Sequence, residues 1–201
     1  MGAARLAPLM HEQSHMSANP PGPPARPATD EGSGARPFRA AASALGNPLV
    51  RAGLVLGMGF GGLADGIVLH SILGWHHLIC AGATVYCQPT SVGQLQLENT
   101  EDGYFDLALW LVLLAGTAMI FGAARQAGRP WSGRVLLGSM LLGSGLFNFI
   151  EGLVDHQILG IHHVLPGTPH QFLFDMIFLA NGVLFAAVGA LLIRRRRSGN
   201  R

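Results

Sequence analysis

Four long apolar stretches, at 49–73, 105–124, 135–159 and 172–193, set the limits on what this 201-residue chain can become. Each reaches the ~20 residues that a helix needs to cross ~30 Å of hydrocarbon. No water is available there to satisfy peptide groups, so a segment of this kind crosses as a helix. The second and fourth stretches are almost free of charge, whereas the first and third are interrupted by acids and histidines. Only 12% of the chain is charged, against roughly a quarter in an average soluble domain. The expected fold is all-α: an integral membrane four-helix bundle occupying 48–193.

The basic residues orient it. All 13 are arginine, and they gather before the first span, between the second and third, and after the fourth. Four crossings put these clusters on one side, so the positive-inside rule places both termini in the cytoplasm. The connections 74–104 and 160–171 carry no arginine and are expected to face outward. The net charge of +2 is thus a topology signal and not a nucleic-acid footprint. Residues 1–47 hold 7 of the 12 prolines and no apolar core, the composition of a disordered cytoplasmic arm. They contain no apolar h-region of a cleaved signal peptide. Residues 194–201 form a basic cytoplasmic tail.

Within this frame the chain repeats itself. Residues 57–78, GMGFGGLADGIVLHSILGWHHL, match residues 143–164, GSGLFNFIEGLVDHQILGIHHV, at 10 of 22 positions with an offset of 86. Asp65 faces Glu151, His70 faces His156, and the pair His76-His77 faces His162-His163. Each half starts and ends on the cytoplasmic side, which makes two parallel helix-pair repeats. On the return helices, Phe105-Asp106 is aligned with Phe174-Asp175. Gly53, Gly57 and Gly61, and Gly182, Ala186 and Ala190, form small-residue ridges that suit close helix packing in lipid.

The repeated polar residues carry the chemistry. Acids inside a span cost about 2.5–3.5 kcal/mol each on insertion scales, so several at one depth require mutual pairing, a metal or water. Histidine with carboxylate suits copper, zinc or iron, and a carboxylate often orients a ligating histidine through its second ring nitrogen. The candidate half-sites are His70, His76 or His77, with Asp106, and His156, His162 or His163, with Asp175. Asp65 and Glu151 are deeper ligands or supporting partners. Asp65 and His70 are five residues apart, about 140° around an ideal α-helix. Either the helix is distorted near Gly66 or Gly74, or the two groups serve different partners. The spacing is neither the Glu-x-x-His of di-iron bundles nor the His-Glu-x-x-His of zinc proteases.

Three other readings stand beside a metal centre. A metal-free His/acid network would pin the bundle end. His70 and His156 could ligate one haem axially. Asp65 and Glu151 could relay protons or metal ions across the membrane. Cys80 and Cys87 lie on the oxidising side, where a disulfide is the default. Trp75 and Trp131 suit the membrane interface.

The segment DGIVLHSILGWHH and its echo EGLVDHQILGIHH resemble a family of bacterial predicted membrane proteins of unknown function, over roughly 48–193. The resemblance implies a four-span protein of the bacterial inner membrane and brings no substrate, reaction or cofactor. No nucleophile–base pair, phosphate loop or dinucleotide fingerprint is present, which disfavours an ordinary hydrolase, kinase or dehydrogenase. The leading expectation is a transition-metal centre, copper or iron ahead of zinc, near the outer face. Its role would be redox chemistry or metal delivery to a respiratory enzyme.

Overall fold

Helix one begins where Asn47 caps it. The Asn47 side chain accepts a hydrogen bond from the Leu49 N–H at 3.0 Å, and Pro48 supplies a first-turn residue that needs no donor. The computed structural model describes residues 44–79, 89–126 and 131–194. The N-terminal arm up to residue 43, the cysteine pair Cys80 and Cys87, and the arginine run after Arg194 lie outside the described residues.

Four α-helices follow in order: α1 (Pro48–Asp65), α2 (Val92–Ala124), α3 (Gly133–Glu151) and α4 (Gln171–Arg194). Helices α1 and α3 each run on into a π-helical segment, Gly66–Ile72 and Gly152–Ile158. No strand occurs among the described residues. With their π-helical continuations, all four are long and apolar enough to cross a membrane.

Helix α2 starts well before its apolar stretch. Ser91 caps it by accepting from the Gln94 N–H, and the helix runs for 33 residues. That is about 50 Å at 1.5 Å per residue, longer than the ~30 Å hydrocarbon core. Its first turns, which carry Glu98 and Asp102, are helix where the hydropathy pattern suggested loop.

Glycines bring the helices together. α1 lies against α2 and α3, and α3 against α4, while α2 and α4 do not touch among the described residues. The α1–α3 seam is the tightest: Gly57 lies on the Met140 backbone, Gly61 on Ser144 and Gly143 on the backbone of Leu54 and Met58. Across it, the Ser144 hydroxyl donates to the Gly57 carbonyl at 2.7 Å. The α3–α4 seam uses Gly145 against Gly182 and Ala186, and Gly138 against Gly189. The first ridge read from the sequence thus lies in a helix contact, as do Gly182 and Ala186 of the second, with Gly189 completing that seam. The apolar side chains of α2 and α4, among them Leu111, Phe121, Val183 and Leu184, are exposed and suit a lipid environment.

The two π-helical segments end alike. Leu73 N–H bonds to Val68 O and Leu159 N–H to Val154 O, each at 2.8 Å and each spanning five residues, the π-helical spacing. Gly74 and Gly160 then take φ of +56° and +60°, which glycine adopts without the Cβ penalty. Trp75 N–H closes on Leu69 O, and Ile161 N–H on Asp155 O. The chain turns sharply there, and the His-His pairs fold back across the helix ends.

Candidate metal centre

The π-helical geometry answers the spacing problem. An i→i+5 helix has more residues per turn than an α-helix, so groups five apart come onto one side. His70 Nε2 lies 3.2 Å from Asp65 Oδ2, and His156 Nε2 lies 3.2 Å from Glu151 Oε1. The helix is distorted from Gly66 onward, and both groups of each half serve one place.

The His-His pairs divide their work. His76 and His162 turn inward, where their rings stack at 4.7 Å with 13° between planes. His76 packs edge-on to His70 at 4.6 Å, and His162 edge-on to His156 at 4.9 Å. Four imidazoles therefore form one cluster, with His70, His76, His156 and His162 all buried. The second histidine of each pair reaches an aspartate instead. His77 Nδ1 donates to Asp102 Oδ2 at 2.6 Å, and His163 Nδ1 to Asp175 Oδ2 at 2.7 Å.

The hydrogen bonds at Nδ1 fix what each inward ring presents. His76 Nδ1 donates to the Val164 carbonyl at 2.9 Å, and His162 Nδ1 to the Leu78 carbonyl at 3.1 Å. A carbonyl can only accept, so Nδ1 carries a proton and Nε2 is the atom each ring turns to the interior. Positions 78 and 164 are themselves matched in the repeat, so each half locks the other's histidine. His70 Nδ1 donates to Asp102 Oδ1 at 2.9 Å. His156 Nδ1 faces Asp175 Oδ1 at 3.7 Å, too far for a hydrogen bond. His76 lies beyond the helical span and is held neutral, its pKa pushed from 6.5 to about 3 by burial first and by the neighbouring His162 and His70 rings next.

What converges inside is a set of buried nitrogen and carboxylate oxygen atoms, the nearest pairs 3.2 Å apart. Asp65 Oδ1 and Oδ2, Glu151 Oε2, and Nε2 of His70, His76, His156 and His162 are buried with no hydrogen-bond partner. Leaving one such atom unsatisfied costs ~1–3 kcal/mol, and more when it is charged. Metal cations are one way to meet that need. Two triads have ligand atoms within 4.8 Å of one another: His70, His76 and His162, and Glu151, His156 and His162.

Of the candidates read from the sequence, Asp65, His70, His76, Glu151, His156 and His162 meet in this cluster. His77, His163 and Asp175 stand behind it. Asp106 is displaced from its expected place. In the first half Asp102, one helical turn earlier, takes the part that Asp175 takes in the second. Each aspartate receives a second-position histidine and a backbone N–H, Leu78 N–H at 2.8 Å and Val164 N–H at 3.0 Å. Phe105 stacks on His70 at 5.7 Å, and it is Phe178, not Phe174, that packs on His156 at 5.4 Å. The return helices are thus matched one turn away from the Phe-Asp alignment, and Asp106 Oδ1 instead packs beside Gly66. Asp102 escaped notice because it precedes the apolar stretch in a polar run. The available signal was its position one turn before Asp106, after a Ser91 cap.

A family model described as Predicted membrane protein (DUF2243) matches residues 52–196. The chain belongs to that family. No curated protein and no solved structure matches it. Membership agrees with four helices able to span a membrane, and in this DUF2243 protein the cluster joins the ends of α1 and α3 where their π-helical segments begin. Trp75, an expected interfacial residue, packs edge-on against Phe174 of α4 at 5.7 Å.

Proposed function

We propose that this membrane protein binds a transition metal in a single centre at the junction of its two halves, as a resident redox site. The observation that carries the reading is the convergence of four buried Nε2 atoms with the buried carboxylates of Asp65 and Glu151, the nearest pairs 3.2 Å apart. A metal-free network leaves one member unserved. Protonating His70 or His156 would serve the neighbouring carboxylate, and His162 Nε2 faces Glu151 Oε1 at 3.6 Å, but His76 would still present a buried lone pair with no donor.

Donor chemistry supports iron or copper ahead of zinc. The set is nitrogen and oxygen without thiolate, and Glu151, His156 and His162 have the two-histidine, one-carboxylate composition that suits non-haem iron(II). Side chains exposed by no more than 9% at Asp65, His70, Glu151, His156 and His162 favour a retained ion over one passed to a partner. Packing speaks against haem between His70 and His156, because the stacked His76 and His162 rings stand between them, each within 6.1 Å of both. The arginine distribution supports an outward-facing centre in a bacterial inner membrane, with both termini inside.

The test is metal analysis with visible absorption on the detergent-purified protein. Stoichiometric iron or copper, lost in the His76→Ala, His162→Ala double variant, is the expected result. A protein that takes up no iron, copper or zinc even after reconstitution overturns the reading, and a sharp Soret band would replace it with haem.

A further inference from the structure

We infer that the centre holds two metal ions, with facing open positions that accept one small bridging ligand. This rests on the metal-centre reading and deepens it. A metal bound by imidazole and carboxylate keeps its donors at about 2.0–2.2 Å, so any two donors of one ion lie no more than roughly 4.4 Å apart. The donors here do not gather into one such set. They fall into two triads, His70, His76 and His162 on one side and Glu151, His156 and His162 on the other, with His162 common to both.

Each triad has its own reserve of charge. Asp65 Oδ2 lies 3.2 Å from His70 Nε2 on the first side, and Glu151 Oε1 lies 3.2 Å from His156 Nε2 on the second. Asp102 stands behind His70, and Asp175 faces His156. Asp65, Asp102, Glu151 and Asp175 are buried beside the cluster, and Glu98 is buried behind His77 at 3.8 Å. Carboxylates held at such burial need cations beside them.

The repeat suggests the division of ligands. One ion takes His70 and His76, with the Asp65 carboxylate beside His70 as third ligand in place of the shared His162, and the other takes the matched His156, His162 and Glu151. Three protein ligands per ion leave a position open on each. The stacked His76 and His162 rings hold the halves face to face, and on this inference those positions are set toward each other. Two-metal sites have ions about 3.5–4 Å apart, a span that one or two atoms bridge. Hydroxide and small linear anions such as azide are of that class.

Cobalt(II) is the probe, titrated into the metal-depleted full-length protein in detergent and followed by visible absorption and metal analysis. Two cobalt ions per chain are expected, with azide then binding at one per cobalt pair and shifting the spectrum. Saturation at one cobalt per chain overturns the dinuclear inference and leaves the metal-centre reading intact. No cobalt uptake at all overturns both. Two azides per cobalt pair overturn the bridging position alone. The His156→Ala variant provides a second measure: loss of about half the cobalt supports two ions, whereas total loss with the fold preserved by circular dichroism speaks for one.

Discussion

Asp102 and Asp106 sit on the same face of α2, one turn apart, yet only Asp102 touches the histidines. It accepts from His70, from His77 and from the Leu78 N–H, so it orients one proposed ligand and fastens the loop that carries another. Outer partners of this kind commonly contribute 10–100-fold to metal affinity. Asp102→Asn is therefore expected to weaken metal binding by about that factor in a competition titration. Asp106→Asn, whose carboxylate packs beside Gly66, should leave affinity at the parent value. Equal losses in the two variants would return Asp106 to the centre. The inward histidines were legible from the repeat because polar residues matched inside apolar sequence are costly without a shared purpose. The choice between His76 and His77 was not, since adjacent residues differ only in which way the chain turns after Gly74, and that turn is set by a hydrogen bond to a carbonyl in the other half.

At the level of elements, the π-helical segments place acid and histidine together, and the glycines around them act by two separate mechanisms. Gly74 has open space where a Cβ would stand but a φ of +56°, so Gly74→Ala meets backbone strain alone, about 1–2 kcal/mol. Gly57 has an ordinary helical backbone, but a Cβ there would run into the Met140 main chain, which has no rotamer to yield. Gly57→Ala should thus cost more, at or above the ~1–3 kcal/mol of overpacking. Thermal unfolding in detergent is expected to rank Gly57→Ala below Gly74→Ala and both below the parent; the reverse order would show that the α1–α3 seam can open. The sequence exposed the glycine ridges and the need for a distortion near Gly66 or Gly74. It did not specify a π-helix, because Gly66 begins the change without strain of its own and the i→i+5 bonds answer to tertiary contacts. The early start of α2 was hidden for a related reason: its first turns are polar, and hydropathy identifies a helix only where it must cross the ~30 Å core.

For the whole molecule, length and apolarity sufficed to count the helices, since a bilayer permits few ways to cross it. The side on which the centre lies rests on arginine placement. With Cys80 and Cys87 replaced by serine, Thr168→Cys should react with a membrane-impermeant thiol reagent from the periplasm, and Gln126→Cys should not. The opposite pattern would turn the protein over and put the centre at the cytoplasmic face.

The crossed bonds from His76 to the Val164 carbonyl and from His162 to the Leu78 carbonyl also impose an order in time. Residue 76 leaves the ribosome 88 positions before its acceptor exists. During biogenesis the first hairpin enters the bilayer with its ligands unlocked, and it stays so until the second has been translated and has docked. On the proposed metal-centre reading, loading would be a late event that reports completed assembly, and a truncated product would lack a finished clasp to hold an ion.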